Sequence, residues 1–137
     1  MLEHLHVSNM ALIDEIEVDF SKGLNILSGE TGAGKSIIIG SINIALGGKA
    51  SKELIRNGAE YALVELVFSV ENKTVENILN DMGIELDDGM VIISRKIMSN
   101  RCINKVNGES VTNAMLKNII ILGYMRWSGS CVELQRL

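Results

Sequence analysis

Eight residues constrain this chain more than any others: Gly29-Glu30-Thr31-Gly32-Ala33-Gly34-Lys35-Ser36. Glycines bracket four residues, and a lysine and a hydroxyl follow the second bracket directly. The apolar run Leu24-Asn25-Ile26-Leu27 leads in and reads as a short buried strand. From Lys35 onward Ile38, Ile42 and Ala45 recur at helical spacing until Gly47-Gly48 stops the pattern, predicting a helix over residues 35–46. A strand, a glycine loop and a helix in that order form a cradle for an oxyanion. Glycines let consecutive backbone N–H groups turn inward where side chains would obstruct. The start of the helix adds unpaired donors and partial positive charge. Lys35 then places a point charge at the outer phosphates, and the Ser36 hydroxyl is an oxygen ligand for Mg²⁺. The ligand implied is the triphosphate of a nucleotide, with MgATP the leading choice.

The loop matches the P-loop pattern in full but does not name a reaction, because kinases, GTPases, ATPases and binding-only proteins all use it. A GTPase would need a base-reading Asn-Lys-x-Asp. Asn72-Lys73-Thr74-Val75 and Asn104-Lys105-Val106-Asn107 both lack the final aspartate. A small kinase would need a lid and a substrate site.

A length of 137 residues, 47% of them apolar, suits one domain. The net charge of -4, from 13 basic and 17 acidic residues, gives no support to a domain gripping nucleic acid through its whole surface. Any DNA contact would be local or shared with other parts of a larger assembly. No apolar run approaches the ~18–20 residues of a membrane span, and Met1-Leu2-Glu3-His4 does not open like a secretion signal. Cys102 and Cys131 are therefore expected as free thiols in a cytoplasmic setting.

The chain has no proline, so Gly, Asn, Asp and Ser punctuate it. Residues 2–7 alternate imperfectly and residues 13–20 more clearly, with Ile16, Val18 and Phe20 opposite Glu15, Glu17 and Asp19. Residues 61–70 form a further strand. Residues 74–82 predict a helix with Val75, Ile78, Leu79 and Met82 on one face, ended by Gly83. Residues 90–97 and 101–106 read as a hairpin pair, Asn107-Gly108 as a tight turn, and Thr112 as the cap of a helix reaching about Leu122. The fold class is α/β, opening with antiparallel strands rather than a plain βαβ repeat.

Taken together, Leu5-His6-Val7-Ser8-Asn9-Met10-Ala11-Leu12-Ile13-Asp14 and the stretch from Gly23 to Ser36 strongly resemble the N-terminal head lobe of the RecN family. These are bacterial DNA repair ATPases of the SMC branch of the ABC superfamily. Leu46-Gly47-Gly48-Lys49-Ala50, Leu54-Ile55-Arg56-Asn57-Gly58-Ala59-Glu60, and Arg95-Lys96-Ile97 leading to Asn107-Gly108 continue the match over residues 1–122. The resemblance implies a P-loop NTPase fold of the ABC/SMC head type, as an N-terminal lobe with a mixed sheet and a P-loop helix. It implies a half-site: in such proteins a coiled coil follows this lobe, and a C-terminal lobe supplies the signature motif and the Walker B carboxylates. Two heads then close on two ATP molecules and the whole protein acts on DNA in double-strand break repair, in the cytoplasm at the nucleoid. The other readings carried are a RecF-like or other SMC-related clamp, and a structural DNA tether using ATP as dimer glue. The resemblance further suggests Arg56 as an ATP-facing finger, and Asn9, Ala11 and Leu12 as the edge approaching the adenine.

Two features qualify the match. Residues 123–137 carry no glutamine loop of the Gly-Gln-His-Glu-His kind, and no role is transferred to Gln135; a shifted reading frame or an artificial end would account for that tail. Walker B carboxylates are also missing, since Asp87-Asp88 follows Gly83-Ile84-Glu85-Leu86, where the apolar run is absent. This chain alone is therefore expected not to hydrolyse ATP. His4 and His6 share a strand face without an evident third metal ligand. Glu65 is expected to face solvent. Arg95, Lys96, Arg101 and Lys105 read as a basic cluster on a solvated hairpin, with a DNA phosphate contact as the lesser reading.

Overall fold

The structure, a computed structural model, describes residues 2–19, 40–70 and 73–121. The expected turn at Lys22-Gly23, the strand at residues 24–27, the loop Gly29–Ser36 and the tail 123–137 lie outside the described residues.

Among the described residues six strands form one sheet in the order β2-β1-β3-β4-β5-β6: β1 Leu2–Met10, β2 Ile13–Asp19, β3 Tyr61–Ser69, β4 Met90–Met98, β5 Cys102–Val106 and β6 Glu109–Val111. Every pairing among them is antiparallel. Period-two alternation sets the register because a one-residue slip would turn the apolar set to solvent. Thus Val7 faces Val64 and Ile16, Leu5 faces Leu66 and Val18, and Leu66 faces Ile93. Leu5, Val7, Ala62, Val64, Leu66, Val91, Ile93, Ile97 and Val106 are fully buried and make this face the core. The opposite face carries His4, His6, Glu65, Ser94 and Lys105 and stays half-open.

Three α-helices are described. Helix α1 occupies residues 40–45, α2 is Lys73–Asp81 and α3 is Asn113–Ile121. In α2, Leu79 is buried and Ile78 half-buried, as their spacing requires, and Met82 is half-buried in the turn just past the helix; the side chain of Val75 falls outside the description. Thr112 caps α3 as expected, its Oγ1 accepting the Met115 N–H at 3.1 Å, and Leu116 anchors that helix in the core. A 3₁₀ turn, Lys52–Leu54, and the short strand β6 have no counterpart in the sequence reading. Both are too brief to show a period.

Asn107-Gly108 is the expected tight turn, joining β5 to β6 with φ of 48° and 85°. Positive φ at both central residues matches the strand twist and favours Asn-Gly. Asn107 does more than turn the chain. Its Oδ1 accepts the Ile92 N–H at 2.6 Å, and its Nδ2 donates to the Glu85 and Met90 carbonyls at 2.7 and 3.0 Å.

Candidate functional site

Helix α1 lies against the buried face through Ile42, Ala45 and Leu46, and Ser41 Oγ approaches Met10 Sδ at 3.6 Å. The helix ends where Gly47-Gly48 was expected to end it. Gly48 N–H donates to the Asn43 carbonyl at 2.9 Å and Gly47 N–H to the Ile44 carbonyl at 3.1 Å, with Gly47 at φ 99°. This pair of bonds is a Schellman cap.

A second grip on the same helix end comes from the sheet. Arg95 stands at a core position of β4 and is 4% exposed. Its Nε donates to Asn104 Oδ1 at 2.9 Å, and its Nη1 donates to the Gly48 carbonyl at 2.6 Å and to the Ile44 carbonyl. Asn104, on β5 directly opposite Arg95, is buried as well. The basic-cluster reading is therefore corrected for Arg95. Its partners are the Ile44 and Gly48 carbonyls and the Asn104 side chain, and only Lys96, Arg101 and Lys105 belong to the surface. Lys96 lies over the Tyr61 ring at 4.3 Å, within cation–π range. The signal was present in the sequence: positions 91, 93, 95 and 97 alternate as one face.

The structure brings together two candidates that the sequence treated separately, Arg56 and the turn Asn9–Leu12. Arg56 Nη1 donates to the Leu12 carbonyl at 2.9 Å. The backbone is laced alongside: Arg56 N–H to the Asn9 carbonyl at 2.9 Å, Ala11 N–H to the Leu54 carbonyl at 2.7 Å, and a Met10–Ile55 bridge. Asn9 and Ala11 sit at φ 54° and 53°. Left-handed backbone costs an alanine roughly 1–2 kcal/mol, so the surrounding bonds hold this turn against its own preference. At its tip the Leu12 side chain is 89% exposed. A cavity of 490 Å³ lined by Lys52, Arg56, Glu60 and Ser99 among others opens beside the arginine. Lys35, Ser36 and the other loop residues, Gly29 to Gly34, lie outside the described residues.

On the open sheet face, Glu65 and Glu15 flank His6, with Nδ1–Oε1 of 3.1 Å and Nε2–Oε2 of 3.6 Å. Partial burial pulls the imidazole pKa down, but the hydrogen bonds and charges of the two carboxylates outweigh it and hold it above the ordinary value. His4 pairs with Asp19 instead. Among the described residues, no group of three or more His, Cys, Asp or Glu side chains is placed to hold a metal ion. Glu65 faces outward as expected, but onto His6. A cavity of 730 Å³ on this face, bounded by Glu65, Asp87, Ser94, Lys105 and Asn107 among others, carries charges of both signs.

An antiparallel sheet backed by the helix that follows a glycine loop defines the class, the N-terminal lobe of a P-loop ATPase head of the SMC kind. Residues 4–124 match the family model described as an AAA domain, and the chain belongs to that family. It is similar to the DNA repair protein RecN of Bacillus subtilis, 41% identical over 121 residues that make up 87% of this chain and 21% of that protein. RecN of Halalkalibacterium halodurans is 40% identical over 121 residues, with the same shares of 87% and 21%. The chain thus spans about a fifth of the length of these curated relatives. Among solved structures, one of an SMC ATPase, studied for ATP-driven dimerisation and DNA-stimulated activation, superposes with a TM-score of 0.73 at 26% identity. It covers 95% of this chain and 83% of the other. An Smc head bound to the C-terminal winged-helix domain of ScpA gives 0.65 at 25% identity, covering 88% and 39%. RecF, at 20% identity and a TM-score of 0.64, shares the fold, covering 85% of this chain and 29% of its own. The resemblance to the RecN family read from the sequence stands. Among the described residues, no helix is long and apolar enough to cross a membrane.

Proposed function

We propose that this chain is the ATP-binding N-terminal lobe of a RecN-like head acting in DNA double-strand break repair, and that it supplies half of a composite ATPase site. The observation that carries this reading is the loop Gly29–Ser36 in a chain whose described sheet superposes on SMC heads. The RecN relatives at 36–41% identity favour it over a RecF-like clamp, whose solved structures stand at 20%.

In this reading the loop N–H groups cradle the phosphates, and Lys35 binds the β/γ oxygens. Mg²⁺ neutralises those oxygens when bound. Ser36 would hold it through its hydroxyl oxygen, with the remaining oxygens coming from the phosphates, water and a second lobe. The turn Asn9–Leu12 offers exposed Leu12 to the base. Arg56 has five N–H donors, of which the Leu12 carbonyl engages one, so the bond that holds the turn leaves the guanidinium able to reach a phosphate. The partners are a second lobe and coiled coil, another head and DNA, in the cytoplasm at the nucleoid. Residues 1–122 form the lobe and 123–137 depart from it.

Phosphoryl transfer to water needs the metal held from both sides and a group that orients the water. Residues 83–88 supply no Walker B strand: Asp87 and Asp88 sit in the turn ahead of β4, with Asp88 at φ 53°. Purified chain with MgATP is expected to release phosphate at no more than the background rate. A robust rate that disappears in Lys35→Ala would overturn the half-site reading.

A further inference from the structure

We propose that Arg95 is a positioning residue for the nucleotide site, anchoring the far end of the P-loop helix to the centre of the sheet. The inference rests on the reading of Gly29–Ser36 as a phosphate cradle. It adds a residue that touches no nucleotide yet sets where the cradle stands.

Three observations carry it. First, the guanidinium is committed to one end of one helix, through the carbonyls of Ile44 and Gly48. Those carbonyls are the negative end of the helix dipole, where a cation is favoured. Second, the arm is itself fixed. Arg95 lies on a strand bonded on both sides, facing Val64 on β3 and Asn104 on β5, and the Asn104 oxygen pins its Nε. Third, among the described residues no carboxylate lies within ion-pair distance of Arg95, although it is 4% exposed. A buried charge without a counter-ion is a poor way to gain stability, and an apolar residue of similar size commonly does as well or better. Rigid placement of the helix is what the guanidinium provides and a methionine would not.

The consequence runs along α1. On the helix that the sequence predicts from Lys35, Ile44 would lie nine residues on, or about 13 Å along the axis. Phosphate binding draws on N–H groups at one end of that rod, so slack at the other end becomes misplacement of the donors. Hydrogen bonds weaken steeply as their geometry departs from linear, so displaced donors bind phosphate less tightly.

The test compares ATP affinity and thermal midpoint for the wild-type chain, Arg95→Met, Arg95→Lys, Lys35→Ala and Val106→Ala, with binding measured well below each midpoint. Val106 is fully buried on β5, where it faces Ile93 on β4 and Glu109 on β6 and makes no hydrogen bond to Arg95, so it reports the effect of lost stability. Arg95→Met is expected to weaken ATP binding tenfold or more. Arg95→Lys, with one ammionium in place of the fork, should fall between it and wild type. Val106→Ala should lower the midpoint and leave affinity unchanged. Folded Arg95→Met with wild-type affinity, or a loss no greater than that of Val106→Ala, would overturn the proposal. So would failure of both Arg95 variants to fold, since the residue would then be purely structural. If the wild-type chain does not bind ATP, or Lys35→Ala binds as well as wild type, it is the phosphate-cradle reading that fails, and this inference falls with it.

Discussion

Lys35→Ala is expected to weaken ATP binding by tenfold or more while the chain remains folded. A charge-assisted hydrogen bond is worth about 1.5–3 kcal/mol, and each 1.4 kcal/mol is a factor of ten. The ammonium is needed for ligand, not for fold. The core of the described residues is built from β1, β3, β4, β5 and the helices around them. Calorimetric titration of wild type and variant, with the midpoint of each measured beside it, separates the two effects. Equal affinities would remove the loop as the phosphate site.

Gly48→Ala is expected to be the most damaging single-methyl change at the end of α1, costing about 2–4 kcal/mol. A β-carbon placed there meets the Asn43 carbonyl oxygen at 2.6 Å and its carbon at 3.1 Å, both backbone atoms that cannot swing aside. The same residue donates to that carbonyl in the helix cap and accepts from Arg95. Moving it therefore loosens the Schellman bond and the guanidinium grip together. The midpoint should fall by on the order of 10 °C. Gly40→Ala is the internal control, because a β-carbon there meets nothing within 4 Å among the described residues. It should be neutral or raise stability by about 0.5–1 kcal/mol, as alanine does within a helix. Chemical denaturation of both variants checks the contrast.

The parts of this molecule legible in the sequence are those written in short periods. Alternation in β3 and β4, the Gly47-Gly48 stop, the Thr112 cap and the Asn107-Gly108 turn all depend on neighbours within a few positions, and each stands where it was expected. What was not legible joins distant positions. Arg95 reaches carbonyls about fifty residues back in the chain, at Ile44 and Gly48. Its basic neighbours Lys96, Arg101 and Lys105 drew it into a surface cluster, although its place in the alternation pointed inward. Arg56 and the turn at Asn9–Leu12 were each singled out by resemblance, but nothing local predicts the bond between them. The left-handed Ala11 is hidden too, because alanine gives no sign of positive φ. Asn107 was read as a turn former, while its side chain also fastens the segment around Glu85 and Met90.

The central claim is that MgATP is bound by this chain at Gly29–Ser36. Its most direct test is amide chemical-shift mapping of the labelled chain during titration with MgATP. The largest saturable shifts should fall on the amides of Gly29 to Ser36, with smaller ones at Asn9–Leu12 and Arg56, and each should need tenfold or more MgATP to saturate in Lys35→Ala. Shifts confined to the open sheet face around Glu65, Ser94 and Lys105, with the loop amides unmoved, would contradict the account.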